Sequence, residues 1–479
     1  MMIEDSGAFL KHNIMKQTLL FLGFFLSTLG SYSQCFSNLS SGNYFNFGIK
    51  PNGTVWAWGS GGVGQLGNGS DLDEYTPIQV GTTNDWQKVF CGQFITFLIK
   101  NNGTLWGSGS NVTGELGVGS TVSNVLLFTQ IGSDNNWIQI SPSNSFALGL
   151  KSNGTLWGWG QNDTYQMGNG TCCANRLSPA QIGNDTDWIN IASSGVRSAL
   201  ALKSNGTLWG WGLNSTGLIG PSNVGSRQYP TQLRADTDWA TISVGNSHAL
   251  ALKTNGTLWG WGAGGLGQAG DTFPDAYFRD TPVQIGTDTN WVYIGTGFNT
   301  SYAIKSDGTL WAWGRNDTGQ VGDGTTTNRR QPVQVGTDTD WVRVSGGLWH
   351  GIAQKANGAI YTWGTNDFGQ LGNGTMDAVS LPTGISVSGC TLDTAEFSTV
   401  KMVIAPNPVQ EVLQFSYSGN TVVNGLKVYD MLGRVVYGSH PVATNQLQVS
   451  LPLVLPKGIY LLVLESNGSV VVSERFVKE

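Results

Sequence analysis

The chain has 479 residues, of which 12% are charged, and it carries 68 Gly, 19 Trp and a formal net charge of −6. That length allows two or three domains, and a Gly- and Trp-rich, weakly charged composition excludes a disordered chain. With no basic cluster larger than the pair Arg329 and Arg330, nucleic acid and an anionic membrane surface are excluded as electrostatic partners.

Residues 1–34 read as a leader. Met15 and Lys16 precede the apolar run TLLFLGFFLSTLG, which is too short to cross a bilayer, and small residues follow at Ser31 and Ser33. A secretory signal cut near Gln34 is expected, with 1–14 as an over-extended start. Gln34 stands where lipoprotein processing of Cys35 needs a small residue. No later segment is a candidate membrane span, so the mature protein is expected to be secreted or held at the outer cell surface.

From 35 to 390 the sequence repeats. The dipeptide Asn-Gly or Asp-Gly recurs at Asn52, Asn102, Asn153, Asn205, Asn255, Asp307 and Asn357, 50 to 52 residues apart. A period of that size marks a propeller or solenoid. Each unit runs from a Trp-led alternating stretch such as WATISVGNSHALALK through the turn to TLWGWG, a Gly-rich loop such as NDFGQLGNG and a short TPVQIG-like stretch. Asn-Gly between alternating runs predicts a two-residue hairpin with both central φ positive. In TLWGWG the two Trp share one strand face, and the intervening Gly leaves room for a neighbouring sheet on the other. The predicted fold is all-β: a seven-bladed propeller with TLWGWG as an inner strand. Twelve Trp fall in that strand and six more open the preceding one, so they are core material; Trp349 alone is off the pattern.

These units resemble the regulator of chromosome condensation repeat family of seven-bladed propellers, on the NGTLWGWG strand, the GQLGNG loops at 64–69 and 369–374, and the GNSHALALK strand from Gly245. The family's founder is an exchange factor that binds chromatin. The leader, the acidic balance and the lack of a basic arm argue against that activity in this chain.

Counting residues places Cys35 and Cys390 at the same position of the repeat, one residue ahead of the strand-opening aromatic. A ring brings the two together, so a Cys35–Cys390 disulfide joining first and last units is expected. Cys91 reads as a buried thiol. Cys172 and Cys173 lie in a loop, where the alternatives are a strained vicinal bridge or a metal role, although no His, Cys or carboxylate spacing around them supports zinc.

After a linker, 391–402, residues 403–479 lack Trp and read as a small β-sandwich. APNP at 405–408, VYDMLGR at 428–434, GIYLL at 458–462 and the basic-ended tail at 476–478 resemble the type A sorting domain of the type IX secretion system of Bacteroidetes. The resemblance implies recognition by the secretion machinery of the outer membrane through 403–479.

Catalytic signals are sparse. His248 and His350 each stand seven residues before their turn Asn and read as hydrogen-bonded strand residues. The pairs Asp185/Asp187, Asp236/Asp238 and Asp338/Asp340 recur ahead of the opening Trp and read as turn acceptors, not calcium ligands or glycosidase carboxylates. No cofactor and no metal site is expected. The units differ in their outer loops, where Tyr75, Arg176, Tyr229, Phe273, Tyr277, Phe278, Arg329 and Arg330 are the candidate binding residues. The expected function is non-catalytic capture of a protein or glycan by a monomeric propeller. The alternative is a secreted enzyme, for example one acting on polysaccharide, with its site in the same loops.

Overall fold

The computed structural model describes residues 35–478 except 222–223, 271–277, 389–400, 405–408, 431–434, 440–443, 453–454 and 467–468. It divides into two units, Met1–Cys390 and Thr391–Glu479. In the first, twenty-eight strands form seven four-stranded antiparallel sheets, each in chain order. The first sheet is β1 (Asn38–Ser41), β2 (Phe45–Ile49), β3 (Val55–Gly59) and β4 (Glu74–Gln79). The remaining six begin at Trp86, Trp137, Trp188, Trp239, Trp291 and Trp341. First strands of successive sheets pack against one another around the ring, and the strand from Trp341 returns to β1. The Trp-led strand is therefore innermost in each blade. TLWGWG, expected as an inner strand, is the third of four, one in from the perimeter.

Each blade buries its apolar face against its neighbour. The ring has a succession of inter-blade cores, such as the cluster joining Ile95, Phe97 and Leu116 of the second blade to Trp137 and Trp159 of the third. In six blades the second Trp of the third strand is buried and donates its indole N–H to a carbonyl in the preceding blade's Gly-rich loop. Trp159 reaches Glu115 O at 2.9 Å, Trp211 reaches Gln166 O at 3.0 Å and Trp363 reaches Gln320 O at 2.9 Å. Trp58 of the first blade donates to Gln370 O of the seventh at 3.0 Å, so the same bond closes the ring. The second blade has Ser108 at that position. There Thr96 Oγ1 donates to the equivalent carbonyl, Gln65 O, at 2.8 Å, and Phe128 fills the space, 6.2 Å from Phe47 and 6.0 Å from Trp86 between ring centroids.

Local chemistry shapes the loops that receive these bonds. In the fourth blade's neighbour, Asn162 Oδ1 accepts from Met167 N–H at 3.1 Å while its Nδ2 donates to Thr171 O at 2.9 Å; Asn316 and Asn366 brace their loops in the same way. The room beside the Gly of TLWGWG is taken by the blade's own loop and not by a neighbouring sheet: a Cβ on Gly260 would lie 2.3 Å from Ala269 O.

The hairpin differs from the expected two-residue turn. Gly53 N–H donates to Lys50 O at 2.8 Å and Lys50 N–H to Thr54 O at 2.9 Å, and of the pair Asn52-Gly53 only Gly53 has positive φ, at 80°. That is a type I turn followed by a left-handed Gly, the three-residue hairpin loop, and Pro51 suits its second position. Asn52 Oδ1 accepts from the N–H and hydroxyl of Thr54, at 3.1 and 2.8 Å.

The second strand ends in a Lys whose ammonium lies between two aromatic rings and against a carboxylate. Lys203 Nζ is 4.7 Å from the ring centroids of both Trp188 and Trp209, and 2.7 Å from Asp185. Lys253 and Lys355 repeat this with Asp238 and Asp338. The acidic pairs, read from sequence as turn acceptors, thus serve to neutralise a ring-stacked, buried cation.

The second unit has two sheets. Lys401–Ile404, Val412–Val423 and Thr444–Pro452 form one, and Gly425–Asp430, Val435–Ser439, Gly458–Ser466 and Ser469–Lys478 the other. Leu413, Phe415 and Tyr417 share a buried core with Leu426, Leu462 and Phe476, as expected for a small sandwich. The segments 405–408 and 431–434 of its signature motifs lie outside the described residues.

Replacing Trp211 with Phe keeps the ring but removes the donor to Gln166 O; unfolding of the full chain in urea is expected to show a loss of about 1 to 3 kcal/mol, against about 3 to 5 kcal/mol for Trp211→Ala. His248 Nε2 lies 2.9 Å from Ser301 Oγ and His350 Nε2 3.0 Å from Asn46 Oδ1, each across a blade seam, and burial lowers both to a pKa of about 3. The folded protein therefore leaves them neutral while the unfolded chain takes up protons below its usual histidine value of about 6.5. Stability should be insensitive to these groups above that pH and fall steadily as pH drops toward 3, and His248→Asn should flatten the fall.

Candidate binding face

Strand polarity gives the ring two distinct faces. First strands run away from the Asn-Gly hairpins, so the turns joining first to second strands and the Gly-rich loops joining third to fourth all emerge on the opposite face. The first of these turns surround the mouth of the axial channel, a cavity of about 120 Å³ to which every blade contributes, among them Gly42, Gly92, Ser143, Gly195, Gly245 and Gly347.

Backbone hydrogen bonds run around this mouth. Asn246 N–H donates to Phe298 O at 2.9 Å, Phe298 N–H to Gly347 O at 3.0 Å, and Leu348 N–H to Asn43 O at 2.9 Å, which crosses the closing seam. Because the backbone holds the turns, their tips can vary. The tip residues in blade order are Tyr44, Phe94, Ser145, Arg197, Ser247, Asn299 and Trp349, so the aromatics fall on three adjacent blades, the seventh, first and second.

On that arc Tyr44 packs edge-on to Trp349 with centroids 5.8 Å apart, and against Phe368 at 4.8 Å. Arg315 lies over the Trp349 ring at 5.5 Å. Its guanidinium is oriented by Asp317 through bonds of 2.8 and 2.6 Å, and that contact holds the Asp317 carboxyl below its ordinary range. Burial, then the nearby Asp367 charge, raises the Tyr44 phenol above its usual value. All three aromatics are half-buried and Phe94 beside them is 37% exposed. The sequence carried one signal of this cluster, the off-pattern Trp349.

The residues expected from sequence stand around the perimeter of the same face, at the starts of fourth strands. Tyr229 is 59% exposed and lies over Gly170, Phe278 is 44% exposed, and Arg176 and Arg330 are exposed. Tyr75 packs on Gly369 of the seventh blade. Arg329 is bound within its own loop, Nε to Asp323 Oδ2 at 2.6 Å. Phe273 and Tyr277 lie outside the described residues. The perimeter residues belong to different blades and do not converge on one another as the mouth residues do.

Other sequence candidates resolve as structure. Cys91, read from sequence as a buried thiol, is half-buried, its thiol pushed up to about 12 by desolvation. Cys172 and Cys173 are free thiols; they share a loop region in which Tyr165 and Cys173 take positive φ, and in which Asp163 pairs with Arg197 at 2.8 Å. Cys35 is disulfide-bonded, and Cys390 lies outside the described residues. Among the described residues no group of three or more His, Cys, Asp or Glu is placed to hold a metal, and no helix is long and apolar enough to cross a membrane.

Comparison with known proteins matches the regulator of chromosome condensation (RCC1) repeat at residues 52–99, 153–202, 205–252, 307–354 and 357–397, and a second model of that repeat at 36–65, 137–166, 239–268 and 291–320. The chain belongs to the RCC1 repeat family. Residues 403–479 match the secretion system C-terminal sorting domain, which directs export by type IX secretion to the cell surface or beyond. Curated relatives include the probable E3 ubiquitin-protein ligase HERC3 of Homo sapiens, 30% identical over 23% of this chain and 11% of that protein, so this chain spans about a tenth of that relative's length. The ultraviolet-B receptor UVR8 of Arabidopsis thaliana is 27% identical over 60% of this chain and 66% of its own. Among solved structures, yeast RCC1 (Prp20) bound to Kap60 superposes with a TM-score of 0.63 at 20% identity, covering 79% of this chain and 90% of that one. Human WBSCR16 gives 0.59 at 21% identity, covering 67% and 86%. The solved RCC1-type propellers share the seven-bladed fold.

Proposed function

We propose that this exported propeller is a non-catalytic, monomeric recognition module that captures a protein on its mouth face, anchored on Trp349, Tyr44, Phe368 and Arg315. The observation that carries this reading is that cluster. Trp, Tyr and Arg are the residues that dominate binding hot spots, and here Trp349 and Tyr44 occupy turn tips where other blades carry Ser145, Ser247 and Asn299, with Arg315 reaching them from the sixth blade's Gly-rich loop. Arg315 covers the Trp349 ring, which favours a protein surface over a sugar that would need an open aromatic face. Tyr75, Arg176, Tyr229, Phe278 and Arg330, with Phe273 and Tyr277 of the same loops, then form the outer rim of the contact.

Support for a non-catalytic role comes from how the titratable groups are used. Both propeller histidines are buried and neutral in blade seams, and the paired aspartates are engaged by lysines on the other face. The sorting domain is read by the outer-membrane secretion machinery, leaving the propeller as the working part.

Affinity capture from the native extracellular medium with the full chain as bait is expected to retain a protein partner. Trp349→Ala should weaken retention at least tenfold, and Phe278→Ala or Arg330→Ala by less, with thermal unfolding of the rim variants unchanged. Equal retention by Trp349→Ala, or hydrolysis of a polysaccharide by the purified protein, would overturn the proposal in favour of the enzyme reading.

We also infer that Cys35 pairs with Cys390, because Cys91, Cys172 and Cys173 are free and the repeat register brings the two positions together. Non-reduced peptide mapping should recover that cross-link. Its reduction should lower stability by up to about 5 kcal/mol in the chain-entropy account; a map without it refutes the pairing.

A further inference from the structure

The hairpin face carries two cavities that are position-for-position equivalents in the repeat. One, of about 410 Å³, lies between the sixth and seventh blades and is lined by Val292, Tyr293, Lys305, Asp307, Asp340 and Val342 among others. The other, of about 430 Å³, lies between the first and second blades, where Ser37, Asn38, Lys50, Asn52 and Gln87 replace Val292, Tyr293, Lys305, Asp307 and Val342, and Asn84 and Lys88 complete the lining. The same pocket is thus built twice, with Asp307, Tyr293 and Val342 of one copy replaced in the other by Asn52, Asn38 and Gln87, while Asp340 keeps its counterpart in Asp85.

The lysines of the two copies differ in what neutralises them. Lys305 Nζ is 2.8 Å from Asp288. Lys50, stacked on Trp56 at 3.7 Å, is bonded instead to the carbonyl of Ser388, which stands six residues after Pro382 as Asp288 stands six after Pro282. Lys88 Nζ donates to the carbonyl of Ile138 at 2.7 Å. Among the described residues no carboxylate lines this cavity, Asp85 beside it being paired with Lys100 at 3.0 Å, and burial lowers the pKa of both lysines, as for cations held without a counter-charge.

The amides add to the imbalance. Asn38 Oδ1 is occupied by Val89 N–H at 2.8 Å and Asn52 Oδ1 by Thr54, so both present their Nδ2 donors. Gln87, Asn84 and Asn101 supply amides that can donate and accept. The cavity is rich in donors and poor in acceptors. Its volume, within the usual range for small-ligand sites of about 300 to 1,000 Å³, has room for a ring-sized ligand.

We propose that this cavity binds an acidic sugar unit of an extracellular polysaccharide, its carboxylate or sulfate oxygens facing Lys50 and its hydroxyls facing the Asn and Gln amides. Ammonium groups bind oxyanions through charge-assisted hydrogen bonds, and primary amides match hydroxyls in both directions. The site is on the face opposite the mouth and does not depend on the protein-capture reading.

Isothermal titration of the full chain with trigalacturonate, with sulfated dextran oligosaccharide and with neutral dextran of equal length tests this. Binding of at least one acidic probe and none of the neutral one is expected, and the arm that binds identifies uronate or sulfate. Asn52→Asp installs the carboxylate of the sibling cavity in a hairpin that already accepts Asp, since Asp307 makes the same bonds to Thr309. It should weaken binding at least tenfold with an unchanged thermal midpoint, and Gln87→Ala, at an exposed lining residue, should also weaken it and decides the matter if Asn52→Asp does not fold. No binding of either acidic probe at millimolar concentration, equal binding of neutral dextran, or wild-type affinity in the folded Asn52→Asp protein overturns the proposal.

Discussion

A single bond, from a buried indole N–H to the loop carbonyl of the preceding blade, sets the geometry on which the ring depends. It requires a Trp on the third strand, a loop that points one carbonyl outward, braced by an Asn in five of the seven blades, and a close approach between the two. When these recur, each blade meets the next at the same angle, and after seven steps the first Trp of this kind, Trp58, finds the carbonyl of Gln370. Stability is then distributed over similar seams in place of a single core, as in other repeat proteins. The second blade shows how a seam survives loss of its Trp: Phe128 supplies the packing and Thr96 the donor.

Because this bond and the backbone belt at the mouth hold the ring, side chains at the turn tips and around the hairpins are free of structural duty. The two faces use that freedom differently. On the mouth face three successive tips became aromatic and Arg315 was recruited over Trp349. On the hairpin face, one seam carries Asn52, Asn38 and Gln87 where its sibling carries Asp307, Tyr293 and Val342, and its lysine is bonded to a carbonyl in place of a carboxylate. Asymmetry superimposed on a sevenfold frame is where recognition is to be sought.

Much of the frame was legible in the sequence, since a 50-to-52-residue period and the alternation within each unit report sheet number and strand order directly. The hairpin type was not, because Asn-Gly serves both the two-residue turn and the type I turn with a left-handed Gly, and all seven units take the second although only the first has a Pro, Pro51, in the turn. The role of the Asp pairs was missed because their partner Lys is about 16 residues downstream in sequence and meets them only when the blade folds. Trp349 stood out as the single Trp without a place in the repeat, yet its neighbours Tyr44, Phe368 and Arg315 come from three blades and are joined only by closure. The perimeter residues were chosen by loop divergence alone, which could not tell the tethered Arg329 from the exposed Arg330.

The most direct test of closure is exchange of the indole N–H protons in ¹⁵N-Trp-labelled full-length protein. The account predicts that Trp58, bonded across the seam between last and first blades, is as strongly protected as Trp159, Trp211 and Trp363 within the ring. Rapid exchange at Trp58 alone would mean that the ring stands open at its ends, and would contradict it.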